Sequence, residues 1–172
     1  MQPYDGRCWK LPDDISSDQL IGAQHVFDFD PQVLRKHLLA EFRPEIAANA
    51  KEGDILLAGD NFANGSNHSH PFLAMKAIGM GLVCKSISRG PYRLSVFMGI
   101  PLLTCEADVY ERIDDGDRIK VDFVSGAVEN LSRGGGFSLQ PLPPFLIEIV
   151  AAGGGLEHAK LQQGKQVDGP SW

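Results

Sequence analysis

The fold is decided by the segment GDILLAGDNFANGSNHSHPFLAMKAIGMGLVCKSISRGPYR, Gly53 to Arg93. Its apolar run DILLAG, Asp54 to Gly59, predicts a short buried strand. A polar loop follows, and Pro71 then marks the first turn of a helix with an apolar face. LVCKSIS, Leu82 to Ser88, predicts the next strand. This order of strand, loop, helix and strand predicts a parallel strand pair joined by a right-handed crossover.

The alternation of strands and helices extends to both sides of this segment. PYRLSVFMG, Pro91 to Gly99, predicts a helix, and IPLLT, Ile100 to Thr104, predicts a third strand. Upstream, Gly6 to Lys10 predicts a first short strand, and Asp30 as N-cap predicts a helix over Pro31 to Phe42. We therefore predict an α/β fold with a largely parallel central sheet.

The C-terminal part has a different pattern. Apolar and polar residues alternate over Asp117 to Ser132 around the turn dipeptide Ser125-Gly126, which predicts a hairpin. After the flexible RGGG, PLPPFLIEIVAA predicts a helix that Gly153 to Gly155 ends, and a short terminal helix follows. The polar residues from Gln162 to Trp172 predict a loose tail.

Length and composition favour one globular domain over residues 1–172, with its core over residues 6–160. The chain is 43% hydrophobic and 22% charged, and 16 Lys and Arg against 22 Asp and Glu give a formal charge of -6. That charge argues against nucleic acid or an anionic membrane as the main partner. An anionic small substrate is compatible with it, because a helix N-terminus with a few donors binds a carboxylate.

The cysteines and the N-terminus bear on the compartment. Cys8, Cys84 and Cys105 are odd in number and contain no CxxC pair, so they suggest neither a disulfide framework nor a zinc site. Reduced thiols are typical of a cytoplasmic protein. Neither a signal peptide nor a stretch near the roughly 20 apolar residues of a membrane span is evident. We expect a cytoplasmic protein without a membrane partner.

The polar loop GSNHSHP, Gly65 to Pro71, is the main candidate site, and its role is open from the residues alone. Its Ser and Asn residues are typical of N-caps and turns. At a helix start they could equally bind an anion, because free N–H groups and the helix dipole favour negative charge. Arg89, near the end of a predicted strand, lies where open α/β sheets place ligands, although surface cations are common.

Two sharper interpretations of the loop have weaker support. The HxH pair His68 and His70 could bind a metal, but Asp18, His25 and Asp60 offer a third ligand without any motif spacing. A Ser-His hydrolase would be expected to carry a GxSxG elbow, which the sequence lacks. We therefore expect no metal site.

Four segments occur in unbroken order: GRCWKLPDDISSDQLI, the segment quoted first, GIPLL and PLPPFLIEIVAAGG. Over Gly6 to Lys160 this order resembles the small subunit of 3-isopropylmalate dehydratase, a separate swivel domain of the aconitase superfamily. The resemblance implies a swivelling β/β/α domain that forms a heterodimer with a large subunit carrying a [4Fe-4S] cluster. It also implies a hydro-lyase acting on a small hydroxy polycarboxylic acid, as in leucine biosynthesis, with no cofactor bound by this chain.

The resemblance also assigns site residues. The family's loop is written GSSREHA, its first Ser is the base that removes a proton alpha to a carboxylate, and its Arg binds substrate. It therefore implies Ser66 as the catalytic base. The implied substrate-binding residues are Gly65, Asn67, His68, His70, Asp18, His25 and Arg89. A specificity loop would follow over Gly22 to Asp30, with Phe27 beside His25.

The loop departs from the family pattern at its charged positions. Asn67, His68, Ser69 and Pro71 stand where the family has Ser, Arg, Glu and Ala. His68 lacks the permanent charge and the bidentate fork of Arg. Two outcomes follow: altered specificity, which the retained Ser66 and turn glycines favour, or a non-catalytic binding or scaffolding paralogue.

Overall fold

The protein is described by a computed structural model over residues 1–165. Its strands are β1 (Tyr4–Leu11), β2 (Ile55–Ala58), β3 (Gly81–Cys84), β4 (Leu102–Thr104), β5 (Arg118–Asp122), β6 (Ala127–Asn130) and β7 (Gly136–Ser138). Its α-helices are α1 (Ser17–Leu20), α2 (Pro31–Leu34), α3 (Pro44–Asn49), α4 (His70–Ile78), α5 (Arg89–Met98), α6 (Ala107–Glu111), α7 (Pro144–Ala151) and α8 (Gly155–Lys165). A 3-10 turn covers Ala23–His25.

All these strands form one sheet in the order β4-β3-β2-β1-β5-β6-β7. β1 to β4 are parallel, which confirms the predicted central sheet. Leu11, Ala58, Cys84 and Thr104 lie opposite one another across it. The carboxyl ends of β1, β2, β3 and β4 therefore meet at one edge of the sheet, which is where open α/β sheets place ligands.

β1 belongs to both halves of the sheet. Its residues Tyr4 to Arg7 pair antiparallel with β5, and Cys8 to Leu11 pair parallel with β2. β5, β6 and β7 continue the antiparallel half, so the predicted hairpin is confirmed and one further strand extends it. Because β1 is shared, the two halves are held as one sheet.

Both faces of the parallel part are buried. Every residue of β2 and β3 is buried, as expected for parallel strands covered on both sides. Leu56 and Ala58 face a core completed by residues of α1 to α5 and α7, whereas Ile55 and Leu57 face a second core with α6 and the antiparallel strands. The α/β fold class predicted from the sequence is confirmed.

Several predicted boundaries are wrong. The helix predicted over Pro31 to Phe42 ends at Leu34, because Leu39 adopts φ +57° and its N–H donates to the Leu20 carbonyl at 2.8 Å. That backbone kink buries both Leu38 and Leu39, which a straight helix presents in different directions. The predicted loose tail also begins too early, since α8 continues to Lys165. Residues 166–172 lie outside the described part of the chain.

Asp54 fastens β1 to the turn before β2. Its buried carboxylate accepts hydrogen bonds from the Arg7 N–H at 2.9 Å, the Trp9 indole Nε1 at 2.8 Å and the Lys51 N–H at 3.0 Å. A buried charge is tolerated when it is hydrogen-bonded in this way. Removing the carboxylate leaves those donors without an acceptor.

We predict that Asp54→Ala lowers the free energy of unfolding by about 3 kcal/mol, since hydrogen bonds to a buried charge are each worth about 1.5–3 kcal/mol. The matched control is Asp30→Ala, which removes an exposed N-cap carboxylate bonded to the Gln32 N–H and is expected to cost about 1 kcal/mol. Urea unfolding followed by circular dichroism measures both. Equal losses would contradict the role given to Asp54.

Candidate functional site

The polar loop Gly65 to Ser69 lies at the carboxyl edge of the parallel strands, between β2 and α4. A short parallel bridge joins Ser16 to Asn64, and the Ser17 N–H donates to the Asn64 carbonyl at 2.8 Å. Gly65 has φ +90°, a conformation that glycine adopts without steric cost. The first turn of the chain and the loop are therefore held side by side.

Ser66 and Asn67 are exposed on the loop. The Asn67 amide packs on the start of α5, where a Cβ added to Gly90 would lie 2.7 Å from the Asn67 Nδ2 atom. Arg89, also exposed, precedes Gly90 in the chain and is thereby placed beside the loop. The structure thus brings together Gly65, Ser66, Asn67 and Arg89, which the sequence predicts as site residues.

His68 and His70 contact each other through their Nδ1 atoms, which are 3.1 Å apart. Such a contact needs one Nδ1 atom to donate and the other to accept, so one proton lies between these two atoms. His68 Nε2 lies 3.8 Å from Asp18 Oδ1. Burial and the neighbouring His70 lower the pKa of His68 below its usual value, against a smaller opposing effect of Asp18. His68 is therefore neutral at pH 7.

Buried polar atoms without a partner concentrate around this loop. Within residues 1–163, whose side chains are described, the buried side-chain atoms without a hydrogen bond are Ser17 Oγ, His68 Nε2 and His70 Nε2. Ser17 Oγ lies 3.7 Å from the position of a Cβ added to Gly65. Unsatisfied buried polar atoms are few in native proteins, and a catalytic role, an ordered water or ion, or local strain accounts for them. The observation supports the loop and the first turn as one site.

The segment Gly22 to Asp30 contributes an aromatic side chain that sequence patterns do not single out. Phe29 is 65% exposed, yet its ring centroid lies 4.9 Å from that of His70. His25 instead stacks on His37 at 3.7 Å and has its Nδ1 3.4 Å from Asp28 Oδ2. His25 thus contacts His37 and Asp28, which lie outside the polar loop Gly65 to Ser69.

Residues 1–165 contain potential metal ligands in their His, Cys, Asp and Glu side chains. No group of three or more His, Cys, Asp and Glu residues there could hold a metal ion, so the HxH pair has no assembled third ligand. The three cysteines are buried, and burial raises the pKa of the Cys84 thiol to about 12 and of the Cys105 thiol to about 11. Iron–sulfur clusters are bound by thiolates, and buried thiols with raised pKa values do not fit that role.

No helix over residues 1–165 is long and apolar enough to cross a membrane.

Comparisons with known proteins agree with the geometry, although no family model matches the chain. The chain is 36% identical to the 3-isopropylmalate dehydratase small subunit of Wolinella succinogenes, over 93% of this chain and 95% of that one. It is 38% identical to 3-isopropylmalate dehydratase small subunit 1 of Archaeoglobus fulgidus, over 90% and 96%. The crystal structure of 3-isopropylmalate dehydratase from Methanocaldococcus jannaschii superposes with a TM-score of 0.89 and 27% identity, covering 96% of this chain and 98% of that one. The chain therefore belongs to the family of 3-isopropylmalate dehydratase small subunits.

Proposed function

We propose that this chain is the small subunit of a hydro-lyase that interconverts a hydroxy polycarboxylic acid and its unsaturated counterpart, together with a large subunit. The observation that supports this best is the exposed Ser66 on a loop that combines a glycine at positive φ with unpartnered buried polar atoms at the ligand edge of the sheet. Family membership agrees with that reaction class.

In this proposal Ser66 acts as the base that removes the proton alpha to a carboxylate. A serine hydroxyl is a poor base unless nearby positive charge or N–H donors stabilise its alkoxide. The start of α4 supplies backbone N–H groups, since its N-cap Ser69 makes no side-chain capping hydrogen bond. Arg89, the exposed residue next to Gly90 at the start of α5, is the proposed source of a permanent positive charge.

The histidine pair bears on the substrate. A neutral His68 offers a hydrogen bond and no fixed charge, so the position facing it suits a hydroxyl or carbonyl oxygen better than a further carboxylate. Gly65 has a positive φ and Ser66 presents an exposed hydroxyl, so the loop retains the two features that the proposed base needs. We therefore favour altered specificity over loss of catalysis, and place His68 as the residue that sets it.

The iron–sulfur cluster is assigned to the large subunit in this proposal. Cys8, Cys84 and Cys105 of this chain are buried with raised pKa values, so they do not fit cluster ligation. A cluster on the partner would supply a Lewis acid for the leaving hydroxyl. This chain's own contribution is the base, the substrate-binding donors and the surface that closes the site.

We predict that Ser66→Ala lowers kcat of the reconstituted two-subunit enzyme by about 10²- to 10⁴-fold, the usual contribution of a general base. Circular dichroism and the unfolding midpoint are expected to stay at wild-type values because Ser66 is exposed. The matched control is Ser138→Ala, an exposed serine on β7 at the opposite end of the sheet. Near-normal turnover by Ser66→Ala would remove Ser66 from the role of base.

We predict that lowering the pH from 7 destabilises the chain in part through His68. Its pKa in the folded state is below the ordinary 6.5, so the unfolded state takes up the proton first and stability falls as the pH drops through 6.5. His37, whose pKa burial also lowers, acts in the same direction.

The measurement is urea unfolding of wild type, His68→Gln and the second test variant His37→Gln at pH 7 and pH 5.5, with the imidazole titrations followed by NMR. Each variant is expected to lose less stability than wild type between these pH values. A His68 titration midpoint above 6.5 would contradict the neutral state of His68 and the specificity that we derive from it.

A further inference from the structure

We infer that Lys85 is a positioning residue that fastens the turn after β1 to the turn after β2 and thereby sets where the Ser66 loop lies. Its Nζ is 2.9 Å from Asp13 Oδ1 and 2.8 Å from Asp60 Oδ2. The Lys85 side chain is 16% exposed, whereas the two carboxylates are about half exposed. The largely buried Lys85 ammonium group therefore bridges the two turns, and the centroid of the Tyr110 ring lies 5.1 Å from its Nζ.

The two turns are also joined directly. Asp13 Oδ1 accepts a hydrogen bond from the Asp60 N–H at 2.7 Å, and the Asp14 N–H donates to the Asp60 carbonyl at 2.8 Å. On the other side, the Ser86 hydroxyl donates to Asp60 Oδ1 at 2.9 Å and accepts from the Asn61 N–H at 2.8 Å. The carboxyl ends of β1, β2 and β3 thus form one hydrogen-bonded unit around Lys85.

This unit includes two residues in the left-handed backbone region, which among non-glycine residues Asp and Asn adopt most readily. Asp14 has φ +60° and Asn61 has φ +56°, in the left-handed region, and the Asn61 Nδ2 donates to Asp14 Oδ1 at 2.8 Å. Without Lys85, Asp13 and Asp60 would repel each other across the same gap. Hydrogen bonding to Lys85 instead holds the pKa of the Asp60 carboxyl below its usual value.

The hydrogen-bonded unit around Lys85 lies at the start of the two chain segments that meet beside the polar loop. The segment that starts at Asp13 reaches Ser16 and Ser17, and the segment that starts at Asp60 reaches Asn64. These two segments meet again where the Ser17 N–H donates to the Asn64 carbonyl, just before Gly65 and Ser66. Loss of the ion pair is expected to loosen this second meeting point. The consequence for catalysis rests on the proposed function, whereas the consequence for the loop does not.

The Ser17 N–H is the reporter, because its exchange with deuterium is slow only while it bonds to Asn64. We expect Lys85→Met to speed its exchange at least 10-fold and Lys85→Arg, which keeps the charge, to restore most of the protection. In the reconstituted enzyme, Lys85→Met is expected to lower kcat at least 10-fold with less than a 3-fold change in KM. Lys85→Arg is expected to recover at least half of the wild-type kcat.

The matched control is Lys10→Met. Lys10 also packs its Nζ over the Tyr110 ring, at 4.2 Å, and donates to the carbonyls of Tyr110 at 2.7 Å and Ile113 at 2.8 Å, but it contacts neither turn of the site. It is expected to lower global stability while leaving Ser17 exchange, measured relative to the core amide of Leu82, at the wild-type value. If Lys85→Met does not fold, Asp60→Asn removes one of the two ion pairs of Lys85 and is expected to speed Ser17 exchange in the same direction.

Unchanged Ser17 exchange in Lys85→Met, or the same acceleration in Lys10→Met, would overturn the inference. A normal kcat in Lys85→Met with an active wild-type enzyme would overturn it as well. If the wild-type mixture shows no turnover on any hydroxy acid, the proposed function fails, and the exchange result alone then decides the role of Lys85.

Discussion

The parallel pairing of β1, β2 and β3 in one register is the constraint on which the candidate site depends. Leu11, Ala58 and Cys84 lie in a row at the ends of these strands, so the segments that follow them leave the sheet at the same edge. Two of those segments, the first turn and the polar loop, are then tied by the Ser17–Asn64 hydrogen bond and by Lys85. Strand register and these contacts therefore determine where the Ser66 loop lies.

The chemistry of the loop is decided by charge. His68 and His70 share one proton through their Nδ1 atoms, and burial keeps His68 neutral at pH 7. A neutral imidazole recognises hydrogen-bonding groups, whereas an arginine would recognise a carboxylate by charge. Lys85 at this edge is paired with Asp13 and Asp60, whereas Arg89 is an exposed cation at the start of α5. In the proposed function, Arg89 supplies the positive charge that His68 does not.

Sequence patterns predicted the parallel strands and their alternation with helices, because short apolar runs between turn residues describe buried parallel strands well. They failed where a single tertiary bond overrides local preference, as at Leu39, whose N–H to Leu20 replaces a helical continuation. Sequence spacing does not predict that Phe29 and Ser17 lie near the polar loop. Tertiary structure brings Phe29 next to His70 and Ser17 next to Gly65. Lys85 has the pattern of a surface cation, and only the structure shows the two carboxylates that it joins.

We propose that this chain completes a two-subunit dehydratase and catalyses no reaction alone. The most direct test mixes the purified chain with a cluster-bearing large subunit and follows formation of the unsaturated acid from a panel of hydroxy acids, including 3-isopropylmalate. We expect no turnover by either subunit alone and turnover by the mixture, with preference for an acid that presents an uncharged oxygen to His68. Tight association of the two subunits without turnover of any acid would contradict this proposal and identify a non-catalytic paralogue.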